Sequence, residues 1–113
     1  MRNLVKLFKA LSDANRLRIM KMLEVRSLCV CEITDVLKLA NSTVSKHLSI
    51  LRDAELIIDE KVGKWVNYYL NTSKTERYVS ELLPLLSKWL PDDEIIRKDA
   101  EKVKSVDRNM LCA

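Results

Sequence analysis

The pattern of apolar and polar positions predicts four amphipathic helices in the first half of the chain. Apolar residues recur at every third or fourth position, which places them on one face of a helix. The residues with this spacing are Leu4, Leu7, Phe8 and Leu11 in the first helix and Leu17, Met20 and Leu23 in the second. Ser12 and Asp13 are both suitable caps for the second helix. We expect a third helix over about 30–38 and a fourth over about 42–54.

The second half of the chain predicts a β-hairpin and two further helices. β-Branched and aromatic residues over 57–70 flank Gly63, the only glycine of the chain. Helical spacing returns at 75–90, where Pro84 must kink the helix or begin a new one. The proline and three acidic residues at 91–94 are typical of a helix start. This order predicts a mainly α fold with a β-hairpin, which is a winged helix-turn-helix with a helical extension.

Length and charge are those of one small basic domain. The chain has 113 residues and a net charge of +4, and its first 28 residues hold seven Lys or Arg against two acids. Such a charge permits binding to a polyanion. No apolar run approaches the roughly 20 residues that cross a bilayer, so we expect no membrane partner. Three cysteines are unlike a secreted disulfide framework, and we do not expect the first residues to act as a signal peptide, because polar residues recur at every third or fourth position. We therefore expect a cytoplasmic protein.

The fourth helix has the pattern of a DNA-reading helix. Val44, Leu48 and Leu51 lie on one face and would anchor it to the body of the protein. The opposite face and its start carry small hydroxyls and cations: Ser42, Thr43, Ser45, Lys46, Ser49 and Arg52. Small hydroxylated residues allow close entry into the major groove, and cations neutralise phosphate. The alternatives are an ordinary solvated helix face and a basic surface that binds an acidic protein.

Three further side chains complete this candidate surface. Lys61 and Lys64 lie near the tip of the predicted hairpin, where we expect them to hold phosphate. His47 could contact a phosphate or pack beside the turn, and the sequence leaves both open.

Cys29 and Cys31 lie at the start of the third helix, and this helix directly precedes the fourth, DNA-reading helix. On an intact helix, residues two apart point about 200° apart, so their thiolates could not hold one ion. Chelation therefore requires the first helical turn to be unformed or to unwind. Thiolates select soft ions, and a helix N-terminus lowers the pKa of a thiol. The alternative is that both cysteines are buried as small apolar residues.

Three stretches of the chain resemble motifs of the ArsR/SmtB family of metalloregulatory repressors. They are LSDANRLRI at 11–19, LCVCEI at 28–33 and STVSKHLSILR at 42–52. The resemblance covers about residues 4–90. It implies a homodimeric repressor of double-stranded operator DNA, in which inducer binding weakens operator binding. We therefore expect a winged helix-turn-helix domain for DNA binding and dimerisation over 1–91, and a C-terminal helical tail over 92–113 that carries Cys112.

The same resemblance implies how the dimer forms and which ligand is sensed. The first helix and the helix near 75–90 would form the interface. The sequence itself agrees, because these helices carry more apolar surface than so small a body should need to cover: Leu4, Leu7, Phe8, Leu82, Leu86 and Trp89. As(III) or Sb(III) would bind Cys29 and Cys31 as inducer of an arsenic-resistance operon. Arsenic-responsive members often carry a third cysteine where this chain has Thr34, so Cys112 is the candidate third ligand, in its own subunit or the partner's. The alternative is a frayed terminal cysteine with no role. They also often have a serine cap where this chain has Ala40, and Asn41 would replace it.

Other functions are open at this point. The same module could sense Cd(II) or Pb(II), or respond to thiol oxidation. An enzyme with Cys31 as nucleophile and His47 as base is disfavoured, because the chain has one histidine and no glycine-rich loop. We therefore expect no enzyme and no catalytic cofactor.

Overall fold

Residues 1–111 are described by the computed structural model, and they form a helical body with one hairpin. The elements are α1 (Arg2–Leu11), α2 (Ala14–Val25), α3 (Val30–Leu37), α4 (Asn41–Asp53), β1 (Ile57–Val62), β2 (Trp65–Leu70), α5 (Arg77–Leu86), α6 (Glu94–Ser105) and α7 (Arg108–Leu111). The predicted order of four helices, a hairpin and two helices is confirmed, and the short α7 is an addition to it. Cys112, the candidate third ligand, lies outside the described residues.

The core lies where α2, α3 and α4 pack together beneath the hairpin. Its largest fully buried side chains include Ile19, Met20, Ile33, Leu48 and Leu51. α6 packs against both α2 and α3, so the C-terminal segment lies on the body of the protein. Arg18 on α2 joins this helix to α6, because its guanidinium donates two hydrogen bonds, of 2.8 and 2.9 Å, to the buried carboxylate of Asp99 on α6. No helix within residues 1–111 combines the length and apolar character needed to cross a membrane.

Side-chain caps fix the starts of α2 and α6. The Asp13 carboxylate accepts hydrogen bonds from the backbone N–H groups of Asn15 and Arg16, and Asp93 caps α6 in the same way. The prediction that Asn41 caps the reading helix is wrong. Asn41 is the first residue of α4, and the cap position is occupied by Ala40, whose side chain cannot accept a hydrogen bond.

The hairpin forms a wing beside α4. β1 and β2 pair antiparallel, with Val62 opposite Trp65, so the turn consists of Gly63 and Lys64 alone. Gly63 has φ +62°, as the first position of a type II′ turn requires. Leu28 pairs with Tyr68 of β2 as an isolated antiparallel bridge, which ties the segment before α3 to the wing.

Pro84 lies inside α5, which continues through it and ends at Leu86. Proline has no N–H, so the helical hydrogen bond to the carbonyl oxygen of Ser80, four residues earlier, is absent. Because α5 ends at Leu86, the expectation that helix extends to Leu90 is wrong, and Trp89 lies beyond α5.

Candidate DNA-binding surface and thiol site

The predicted reading face of α4 is exposed in the folded protein. Val44, Leu48 and Leu51 are buried against the body. The hydroxyl and cationic side chains on the other side are all exposed: Ser42, Thr43, Ser45, Lys46, Ser49 and Arg52. Arg52 also pairs with Asp59 of β1 at 2.9 Å, which joins the reading helix to the wing.

His47 packs inward rather than lying free on this face. Nη1 of Arg16 lies 3.1 Å from Nδ1 of His47. Because arginine can only donate, Nδ1 must accept, and the ring proton then lies on Nε2. The same guanidinium donates to the carbonyl oxygens of Ala10 and Lys9 at the end of α1. Arg16 thus fixes α1, α2 and α4 to one another, a contact that no local sequence pattern signalled.

The two wing lysines are both exposed but differ in their surroundings. Lys61 lies within β1, opposite Val66, whereas Lys64 lies in the turn. Nζ of Lys64 is 4.9 Å from the centre of the Trp65 ring, within the range of a cation–π contact. The ring therefore limits where the Lys64 ammonium can reach.

Cys29 and Cys31 occupy different positions at the start of α3. Cys29 is the N-cap with extended backbone (φ −94°, ψ 171°), and Cys31 is the second residue of the helix. Cys29 is only 3% exposed, while Cys31 is half-buried. Because the backbone at Cys29 is extended, the angle of about 200° expected for two residues of an intact helix does not apply to this pair.

Cys29 and Glu32 form a capping box. The Glu32 carboxylate accepts a hydrogen bond of 3.0 Å from the Cys29 N–H, and the Cys29 side chain faces the Glu32 N–H in return. Burial, together with the nearby Glu32 charge, raises the pKa of the Cys29 thiol. The expectation that the helix N-terminus lowers this pKa is therefore wrong for Cys29, because desolvation outweighs the backbone N–H donors.

Arg26 connects the capping box to the C-terminal segment. It pairs with Glu32 at 3.0 Å and donates to the carbonyl oxygens of Val103 and Val106 at the end of α6. Sequence reasoning missed this network, because its members lie up to 80 residues apart.

Residues 1–111 do not by themselves form a complete metal site. Across this part of the chain, no three Cys, His, Asp or Glu side chains come together as ligands. Cys31 borders a surface groove that is also lined by Thr34, Asp35 and Leu111. The groove reaches the residue before Cys112, which is the candidate third ligand of the sequence analysis.

The apolar residues predicted for a dimer interface divide into two groups. Phe8 is 59% exposed and Trp89 is 48% exposed, as an unpaired apolar face would be. Leu7 and Leu86 are instead buried within the core of the same chain, and Leu4 and Leu82 are half-buried. The prediction that Leu7 and Leu86 form intersubunit surface is therefore wrong, because each already has partners in its own chain.

Known proteins are similar to this chain in both sequence and fold. Residues 13–59 match the model of a protein family that is described as "Bacterial regulatory protein, arsR family". The "Arsenical resistance operon repressor" of Escherichia coli (strain K12) is 36% identical over 94% of this chain and 83% of its own length. The protein with the same description from Bacillus subtilis (strain 168) is 44% identical over 67% of this chain and 73% of its own.

A solved structure agrees with this relationship. HlyU from Vibrio cholerae N16961 superposes with a TM-score of 0.65 at 31% identity, covering 79% of this chain and 92% of its own. The fold of this chain is a winged helix-turn-helix, in which α4 presents its polar face outward. The chain belongs to the arsR family of bacterial regulatory proteins, and it is a DNA-binding transcriptional repressor.

Proposed function

We propose that this repressor controls an arsenical resistance operon and leaves its operator when As(III) or Sb(III) binds Cys29 and Cys31. One observation carries the proposal: both thiols lie at the start of α3, and α3 packs directly against the reading helix α4. The two curated relatives, both described as arsenical resistance operon repressors, support the same ligand class.

The donor set suits a soft, thiol-seeking ion. Thiolates prefer such ions to Mg²⁺ or Ca²⁺. In the binding step each As–S bond replaces one As–OH bond, and the thiol proton leaves with the hydroxide as water. Two such bonds would join Cys29 and Cys31 to one arsenic, and Cys112 is the proposed third donor. The thiols must be reduced for this step.

Ligand binding opposes the closed start of α3. The Cys29 side chain is buried in the capping box, and its raised pKa disfavours the thiolate. A bond from arsenic to this sulfur therefore requires the cap to open and the first turn of α3 to rearrange. Because α3 packs on α4, a rearranged first turn of α3 changes the surface on which the reading helix α4 rests. In this account the ligand and the DNA-binding conformation compete for the same segment.

The DNA contacts follow from the exposed surface. The hydroxyl and cationic side chains of α4 would enter the major groove and bond bases or phosphate: Ser42, Thr43, Ser45, Lys46, Ser49 and Arg52. Lys61 and Lys64 would hold phosphate, with His47 bracing the helix. A homodimer would present two such helices one DNA turn apart. The exposed Phe8 and Trp89 would lie at its interface.

The test is an operator-binding titration under reducing conditions. Arsenite should release the wild-type protein, whereas Cys29→Ser and Cys31→Ser should stay bound at the same arsenite concentration. Thr34→Ser, a substitution beside the pair that removes no thiol, is the matched control and should respond as wild type. Unchanged sensitivity in both cysteine variants would refute the proposal.

The same assay distinguishes the alternative inducers. Release by Cd(II) or Pb(II) but not by arsenite would assign the module to those ions. Release by an oxidant alone, reversed by reductant, would indicate a redox switch. Cys112→Ser tests the third donor, and we expect it to weaken the arsenite response.

Sedimentation of the ligand-free protein tests the assembly. We expect a species of twice 13.1 kDa at micromolar concentration. Phe8→Asp should dissociate it, because a carboxylate in a desolvated interface is costly. A wild-type monomer that still binds operator with full affinity would contradict the dimer.

A further inference from the structure

Arg108, near the C-terminal end of the described residues, contacts the wing at two places. Its Nη1 donates a hydrogen bond of 2.6 Å to Oδ1 of Asn67, and its guanidinium lies 5.1 Å from the centre of the Trp65 ring. Asn67 and Trp65 are two residues apart on β2, so both side chains leave the same face of the hairpin. Charge-assisted hydrogen bonds and cation–π contacts are among the stronger side-chain interactions.

Arg108 is held on the body of the protein and not on the wing. α7 packs against α3. The backbone just before α7 is fixed, because Arg26 donates to the carbonyl oxygen of Val106 at 2.9 Å. Arg26, Glu32, Asn67 and Arg108 line a single polar cleft. The guanidinium therefore links a fixed part of the body to β2 of the two-stranded hairpin.

The contact between Arg108 and the Trp65 ring also affects Lys64, because Lys64 lies against the same ring. Arg108 and Lys64 both lie within cation–π distance of the Trp65 ring. A two-stranded hairpin has little stability of its own, so its outer end depends on such contacts. Fixing the ring fixes the region in which the Lys64 ammonium lies.

We propose that Arg108 is a positioning residue that holds the wing, through Asn67 and Trp65, where Lys64 reaches DNA phosphate. The proposal rests on the role of Lys64 given under Proposed function, and it is independent of the inducer. Without Arg108 the outer end of the hairpin samples more orientations, and each one away from DNA lowers the affinity.

The experiment measures binding to a random-sequence duplex as a function of salt. Phosphate contacts act on any sequence, so neither the operator nor the inducer is needed. We expect Arg108→Ala to weaken binding about three- to tenfold, with a smaller loss in Arg108→Lys, which keeps the charge. The slope of the salt dependence should fall by the equivalent of about one phosphate contact, which is also the change expected for Lys64→Ala. Arg97→Ala, which removes an exposed arginine of α6, is the matched control and should leave the slope unchanged.

Two variants separate positioning from direct phosphate contact by Arg108. Asn67 is buried and uncharged, so Asn67→Ala should lower the affinity and the slope only if the wing has moved. In a Lys64→Ala background, Arg108→Ala should cause no further loss. Circular dichroism and urea unfolding confirm that each variant folds.

Trp65 gives a direct readout of the wing. Trp89→Phe leaves Trp65 as the only tryptophan. In that background, Arg108→Ala should increase quenching of Trp65 by acrylamide, whereas Arg97→Ala should not.

The possible results distinguish a failure of this inference from a failure of the proposed function. Additive losses in the Arg108 and Lys64 double variant, or wild-type binding by Asn67→Ala, would overturn this inference alone. No effect of Lys64→Ala would contradict both the proposed role of the wing and this inference. An absent response to arsenite in the operator assay would leave the inference standing.

Discussion

The backbone N–H of Cys29 donates a 3.0 Å hydrogen bond to the carboxylate of Glu32, so the first thiol of the pair is built into the start of α3. Glu32 is buried and also pairs with Arg26, whose guanidinium binds the end of α6. The cap, the thiol and the C-terminal helix therefore share one set of contacts. A ligand that binds the Cys29 sulfur must therefore disturb the contacts that join the capping box, Arg26 and the end of α6.

Glu32→Gln should make Cys29 more reactive. The Glu32 charge adds to burial in raising the pKa of the thiol, so its removal lowers that pKa and increases the thiolate fraction at a given pH. The rate of alkylation by iodoacetamide measures this in a Cys31→Ser, Cys112→Ser background, where Cys29 is the only cysteine. Asp35→Asn, which neutralises a more exposed carboxylate on the same helix, should leave the rate unchanged. Slower alkylation in Glu32→Gln would contradict the explanation.

Arg18→Ala should destabilise the protein more than most surface substitutions. Asp99 is 2% exposed, and Arg18 supplies both of its charged hydrogen bonds. Removing Arg18 leaves a buried carboxylate without its counterion, at a cost of about 2–3 kcal/mol when Arg18 itself is partly exposed. Urea unfolding at fixed protein concentration measures the loss. Asp99→Asn in the Arg18→Ala background should recover part of it, and a loss below about 0.5 kcal/mol would argue against this pair as a link between α2 and α6.

The cap of α2 should make stability depend on acid pH. Partial burial raises the pKa of Asp13, but the backbone N–H groups of Arg16 and Asn15 and the Arg16 charge outweigh it, so the pKa is below its ordinary value of 3.8. The carboxylate therefore contributes stability above pH 3.8, and the contribution is lost as the pH falls through the folded-state pKa.

Two variants isolate this effect. Asp13→Asn keeps a capping oxygen and should reduce the acid dependence, while Asp13→Ala should lose about 1 kcal/mol near neutral pH. Urea unfolding across the acidic range makes the comparison. An unchanged acid dependence in Asp13→Asn would show that other carboxylates account for it.

Ser45 and Lys64 should affect DNA binding in different ways. Ser45→Tyr places a bulky side chain on the exposed face of α4 and should reduce operator binding more than random-duplex binding, because only close groove entry is blocked. Lys64→Ala should weaken both duplexes equally. Ser105→Tyr, at the exposed end of α6, is the control for bulk. A selective loss of operator preference in Lys64→Ala would mean that the wing reads bases.

The sequence predicted the elements that depend on local pattern. Periodicity located α1 to α4, and the single glycine located the turn of the wing, because side-chain period and φ are local properties. Periodicity could not say which partner covers an apolar face, so Leu7 and Leu86 were assigned to an interface although they lie in the core. The helix through Pro84 was predicted too long for a related reason, since apolar spacing continues beyond the point where α5 ends.

The candidate site was predictable in its residues but not in its connections. The polar face of α4 and the position of Cys29 and Cys31 before it follow from the order of the chain. The contacts of Arg16 with His47 and of Arg108 with Asn67 join residues 31 and 41 positions apart, and only the folded chain brings them together. The raised pKa of Cys29 likewise depends on burial, which spacing does not reveal.

Backbone hydrogen exchange over the first turn of α3 tests the central claim most directly. The Ile33 N–H donates to the Cys29 carbonyl oxygen at 3.1 Å, and this bond exists only while the start of α3 is formed. In the reduced protein, saturating arsenite should accelerate exchange at Ile33 and its neighbours, and Cys29→Ser should abolish the acceleration. Unchanged or slower exchange at Ile33, in protein that has bound arsenite and left its operator, would contradict the account.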